Sequence, residues 1–169
     1  MQLFSLILSA LDRNERYRDV EKATVRPYRD EDLSQVVEIA TDLLASDKES
    51  AQAAIRSALR HDNFRIFVAE FQNKVVGLAV IELTSWHRHL ADIHWIAVRY
   101  ECWRKGFGSS LITELEHYAR ENGVVRIHVA TNPDHESVPF YIKNGFKPRG
   151  ILKQWGKDGD DCLILAKDL

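Results

Sequence analysis

Two cations and two glycines, Arg104, Lys105, Gly106 and Gly108, stand between an apolar run, IHWIAV, and a stretch with helical spacing, SLITELEHYAR. A helix start exposes unpaired N–H groups and a partial positive charge, and both attract phosphate oxygens. Glycines let the backbone turn so that successive N–H groups converge into an anion nest. Strand, glycine turn and helix therefore read as a pyrophosphate site, with a solvated tight turn as the plain alternative. Two other phosphate loops are excluded by residue. GxxxxGK[ST] fails because Lys105 precedes the glycines, and GxGxxG fails because Ser109, Ser110 and Leu111 follow Gly108.

Groups able to move protons lie just upstream. In ADIHWIAV, strand alternation puts Asp92 and His94 on one face, where they can share a water chain. Glu82, near the end of the preceding apolar run, is a third candidate base. Trp86, His87, Arg88 and His89 crowd the loop TSWHRHL, but neighbours in sequence rarely chelate one ion, so that loop reads as substrate lining or exposed surface. GKDGDD has acids without the spacing of a calcium loop. Cys102 and Cys162 have no CxxC neighbour and are too few for a disulfide framework, which favours a reducing, cytoplasmic setting and no metal.

The elements that must position these residues alternate along the chain. TVRPY is a short edge strand carrying Pro27, and RDEDLSQVVEIATDLLAS puts Leu33, Val36, Val37, Ala40, Leu43 and Leu44 on one helical stripe, with Asp30 as N-cap. KESAQAAIRSALRH is a second helix. FRIFVAEF and VVGLAVIEL form a hairpin across QNK. After the helix that follows the glycine loop, which Gly123 ends, come a strand (VVRIHVAT), a short helix within NPDHESVPFYIKNG, and two closing strands at FKPRGILKQW and DCLILAKD. That order predicts one α/β (α+β) domain over 23–169, with a mixed, mostly antiparallel sheet of about six to seven strands flanked by helices. Residues 1–22 predict an amphipathic helix, too short in its apolar part to span a bilayer, that packs on the domain or on a second copy as a homodimer. A net charge of -2 and the lack of a basic, aromatic patch argue against nucleic acid and anionic membranes as partners.

Two stretches, IAVRYECWRKGFGSSLITELEHYARENG and VPFYIKNGFKPRG, resemble the GCN5-related N-acetyltransferases, the GNAT superfamily. That family carries an (R/Q)xxGx(G/A) loop before a helix and a downstream signature matched here by Phe140, Tyr141, Gly145 and Phe146. The resemblance covers about Thr24 to Leu169. It implies acetyl-CoA as cofactor, with pyrophosphate on the backbone of Trp103, Arg104, Lys105, Gly106, Phe107, Gly108 and Ser109. It implies pantetheine along Ile96, Ala97 and Val98, on a strand that splays from its neighbour, with an N–H near Ile96 or Val98 as oxyanion donor. Tyr141 is the implied general acid. Asp92 falls where histone-acetylating members carry glutamate, and His94 where aralkylamine-acetylating members carry histidine. Two positions depart from the pattern: Trp103 stands where Arg or Gln is usual, and Asp134 where Asn is common, with Asn132 the nearest amide. The reading is an N-acetyltransferase that acetylates a primary amine by direct attack in a ternary complex. The tail, GFKPRGILKQWGKDGDDCLILAKDL, is similar to that of members acetylating protein N-termini, which tilts the acceptor towards a peptide or protein amine over a small molecule. The alternative is a non-catalytic acyl-CoA-binding sensor or scaffold.

Overall fold

The structure, a computed structural model, describes residues 23–44, 46–85, 87, 89–156 and 159–169. The helix expected over 1–22 lies outside them, as do Trp86 and Arg88 of the polar loop. Seven strands, β1 (Thr24–Pro27), β2 (Phe64–Phe71), β3 (Lys74–Leu83), β4 (Leu90–Val98), β5 (Arg126–Thr131), β6 (Lys147–Leu152) and β7 (Cys162–Asp168), form one sheet in the order β1-β2-β3-β4-β5-β7-β6. Only β4 and β5 run parallel. The mixed, mostly antiparallel sheet read from the sequence is thus the architecture found.

Helices cover both faces. On one, α1 (Leu33–Leu44) and α2 (Lys48–Leu59) set Val36, Val37, Ala40 and Ile55 against Val68, Leu78 and Val80. On the other, α3 (Phe107–Glu121) sets Leu111, Ile112 and Leu115 against Ala79, Ile81 and Ile93, joined by Val138 and Tyr141 of α4 (Ser137–Lys143). β3 is buried on both sides, which is why VVGLAVI reads as an unbroken apolar run rather than an alternating one. The β2–β3 hairpin turns at Gln72 and Asn73, both with positive φ, the geometry a two-residue turn needs to match strand twist. Gly123 ends α3 at φ 74°, as a C-terminal glycine should.

Asp30 does not cap α1. Asp30–Asp32 form a 3-10 turn and α1 begins at Leu33, because the buried Asp32 is drawn inward to a half-buried cation. Its carboxylate accepts from the Arg26 guanidinium at 2.8 and 2.9 Å and from the Arg29 N–H at 2.8 Å, while Arg26 also donates to Glu70 at 2.8 Å. These hydrogen bonds, the one from Arg26 foremost, hold the Asp32 carboxyl below its usual range. Removing the carboxylate leaves a half-buried guanidinium with Glu70 alone, so Asp32→Ala is expected to lose about 2 kcal/mol in urea unfolding at neutral pH. The stabilisation is present above the ordinary carboxylate pKa, about 4, and is lost as pH falls through the lower folded value. Below that point the variant and the parent should converge in stability.

Candidate active site

The parallel pairing of β4 and β5 runs from Leu90 opposite Arg126 to Ile93 opposite Val129 and stops. Beyond it β4 continues to Val98 along β3, and β5 continues to Thr131 along β7. The two strands therefore part in the middle of the sheet. The Arg99 N–H bonds the Val76 carbonyl at 2.8 Å, which sets the phase of the β3–β4 ladder. Alternate residues of an antiparallel strand bond the same neighbour, so Trp95 and Ala97 face β3 with their backbone groups. Ile96 and Val98 turn theirs into the opening. The Trp103 indole Nε1–H donates to the Val98 carbonyl at 2.6 Å, leaving the N–H groups of Ile96 and Val98 and the Ile96 carbonyl aimed at the gap.

A loop closes the wide end of the opening. After a 3-10 turn over Tyr100–Cys102, Arg104 takes φ 60° and Gly106 φ 89°, two left-handed residues around Lys105 that curl the chain into a nest. Gly106 is the N-cap of α3 and carries no side-chain cap; the first intrahelical bond runs from Ser110 N–H to the Gly106 carbonyl at 3.0 Å. The N–H groups of Phe107, Gly108 and Ser109 thus lie at an uncapped helix start. The Phe107 side chain itself is core, stacked against Phe71 at 5.4 Å between ring centres, so only its backbone can serve a ligand. Gly108 has a packing reason of its own: a Cβ there would sit 3.0 Å from the Phe140 ring, so the glycine lets α4 seat against α3. A side chain at Gly106 meets a conformational cost instead. Gly106→Ala is expected to lose about 1 kcal/mol of stability and about tenfold in CoA affinity, read by urea unfolding and titration calorimetry.

Tyr141 is buried, with its ring 5.2 Å from Phe140 and 5.6 Å from Phe146. Burial pushes its hydroxyl above the ordinary phenol value, so it keeps its proton through the neutral range. No hydrogen bond of this hydroxyl is found among the described residues. No side-chain oxygen or nitrogen there is both fully buried and unpartnered, so the Tyr141 oxygen touches accessible space. Asn132 is exposed and its carbonyl oxygen accepts the Asp134 N–H at 2.9 Å, a local turn that leaves its amide nitrogen outward.

The candidate bases cluster on the opposite face. Ile81, Ala91 and Ile93 point to the α3 side, so Glu82 and Asp92, which pair across β3 and β4, point to the α1 side. His94, two residues beyond Asp92, shares that face by alternation, with Ile93 turned to the other side. Ile93 pairs with Ile81 and Trp95 with Val80, so a β-bulge at His94 and Trp95 breaks the alternation only after His94 and brings Trp95 to the α1 side as well. Its Nε2 lies 2.6 Å from Glu82 Oε2, while the other Glu82 oxygen accepts from Asn63 at 2.8 Å. Both Glu82 oxygens are engaged, which makes Glu82 a holder of His94 rather than a free base. Asp92 is half-buried; burial raises its carboxyl, opposed by His128 and His94 and helped by Glu82. His128, opposite Asp92 on β5, places Nδ1 3.8 Å from Asp92 Oδ1. Sequence reasoning missed His128 and Asn63. His128 alternates with apolar neighbours in RIHVAT, a signal that marks a face but not its partner. Among the described residues no cluster of three or more His, Cys, Asp and Glu is arranged to hold a metal ion.

A strand that opens in mid-sheet above a glycine nest is the frame of one enzyme family. The family model described as the Acetyltransferase (GNAT) family matches residues 26–146. The chain belongs to the GNAT family. Curated relatives include the tRNA(Met) cytidine acetyltransferase TmcA of Aeropyrum pernix, 36% identical over 44% of this chain but only 10% of that protein. An uncharacterized N-acetyltransferase of Methanocaldococcus jannaschii is 29% identical over 60% of this chain and 64% of its own length. The chain thus spans about a tenth and just under two thirds of these two relatives. Among solved structures, the ribosomal-protein-alanine N-acetyltransferase of Brucella melitensis superposes with a TM-score of 0.73 at 25% identity, over 86% of this chain and 99% of the other. As a GNAT domain the chain uses acetyl-CoA. Its residues fit that molecule: the inward N–H groups of Ile96 and Val98 suit the amides of a pantetheine arm, and the nest with the open α3 start suits a pyrophosphate.

Proposed function

We propose that this GNAT domain acetylates a primary amine, a peptide or protein amine in preference to a small one, by direct attack within a ternary complex. Acetyl-CoA, when bound, supplies the acetyl group as an activated thioester. One observation supports the reading: Tyr141 lies on the α3 side of the sheet and the hydrogen-bonded Glu82–His94 pair on the α1 side, His94 standing on β4 where its pairing with β5 stops. Glu82 accepts from His94 Nε2–H, which leaves Nδ1 as the free acceptor for a proton from an ammonium, directly or through water. Asp92, its carboxyl raised by burial and flanked by His128, is the second acceptor on the same face. The N–H groups of Ile96 and Val98 stabilise negative charge developing on an oxygen in the opening. Tyr141 holds a proton for the departing sulfur.

The peptide preference is supported by the similarity of the tail to protein-acetylating members and by the likeness to the Brucella enzyme. Cys102 and Cys162 are buried and not joined in a disulfide, which supports a reducing, cytoplasmic setting, and no helix among the described residues is long and apolar enough to cross a membrane. A release assay for CoA thiol tests the reading, with acetyl-CoA and a panel of peptides of varied N-termini, lysine peptides, polyamines, amino acids and aminoglycosides. Release driven by peptides is the expected outcome. Release confined to polyamines or aminoglycosides would remove the peptide preference and keep the reaction.

A further inference from the structure

Trp103 stands at the position where the family usually carries Arg or Gln, and its side chain does something specific: the indole N–H reaches back to the Val98 carbonyl at 2.6 Å. The bond joins two halves of the site. Val98 ends the open edge of β4, and Trp103 directly precedes Arg104 and Gly106, the left-handed residues of the nest. The backbone path between them is a single 3-10 turn, held by Cys102 N–H to the Arg99 carbonyl at 2.8 Å and Trp103 N–H to the Tyr100 carbonyl at 3.1 Å. The indole bond is the side-chain closure of that turn. Tyr100, 79% exposed, lies beside the indole in a tilted contact, 4.9 Å between ring centres, and Trp103 remains 45% exposed.

We infer that Trp103 is a positioning residue that fixes the spacing between the anion nest and the open N–H row of β4, so that one long ligand engages both at once. The inference rests on the acetyl-CoA site described above. A ligand that spans two subsites gains from their fixed separation, because the second contact becomes intramolecular. A ligand that touches only one subsite gains nothing from it. Loosening the closure therefore weakens CoA and spares its fragments.

The experiment is calorimetric titration of wild-type protein, Trp103→Phe and Trp103→Gln with three ligands: CoA, pantetheine and ADP. Phe keeps a ring beside Tyr100 but has no donor; Gln has a donor and no ring. The expected result is that Trp103→Phe binds CoA about tenfold more weakly, as loss of one well-formed hydrogen bond allows. Pantetheine and ADP affinities should change by less than about twofold in the same variant. Trp103→Gln should recover most of the CoA affinity. Parallel losses for all three ligands in Trp103→Phe would overturn the inference, because the ring would then be a contact or a general prop. A Gln variant as weak as Phe would overturn it too, since the donor would not be the operative group. Unchanged CoA affinity in Trp103→Phe sinks this inference alone, whereas a wild-type protein that binds no CoA sinks the site reading with it.

Discussion

Tyr141→Phe is expected to lower kcat about 10²- to 10³-fold while CoA affinity stays within about twofold. The two rings have the same shape, and Tyr141 is buried among Phe140, Phe146 and the α3-side core, so the variant keeps the packing. What it loses is one hydroxyl that touches accessible space and holds its proton across the neutral range. Stopped-flow thiol release with saturating acetyl-CoA, set beside CoA titration, separates chemistry from binding. A variant as active as its parent would remove Tyr141 from the reaction. It would also lend weight to the alternative of an acyl-CoA-binding sensor, if the parent itself proved inactive.

His94→Ala carries the second large effect, an expected fall of about 10²-fold in kcat/KM. Strand alternation brings His94 to the face of Glu82, and Asn63 holds the second Glu82 oxygen, so three residues from β4, β3 and the turn before β2 define one ring orientation. An amine must give up its proton before it attacks, so the parent's rate is expected to rise with pH, and removal of the acceptor should alter that profile. Glu82→Gln keeps a hydrogen-bonding group beside His94 but not the negative charge, and is expected to cost about tenfold with the same direction of pH dependence. Should Asp92→Asn flatten the profile while His94→Ala leaves it intact, the roles of the two acceptors would be exchanged.

Much of this was legible in the chain because it is local. The glycine loop, its cations and the helix after it lie within one continuous stretch, and their backbone chemistry follows from sequence. The element order fixed the sheet class in the same way. What stayed hidden depends on register between distant segments. Alternation places Asp92 and His94 on one face, and they share it, but the bulge that adds Trp95 to the same face depends on the pairing of β4 with β3. Asp30 reads as a helix cap, and only the pairing of Asp32 with Arg26, which also pairs with Glu70, explains why α1 begins where it does. His128 needed the parallel register of β5 against β4, and Trp103 needed a bond across a turn. Residue types announce which groups can do chemistry; strand register decides which of them meet.

The most direct test of the central claim is backbone amide mapping by NMR on titration with CoA. The N–H groups of Ile96, Val98 and Phe107 to Ser109 are the ones proposed to meet the ligand, so these signals should move most and gain protection from exchange. Trp95 and Ala97, which bond β3, should change little. Large shifts confined to other surfaces, with Ile96 and Val98 unmoved, would contradict the account.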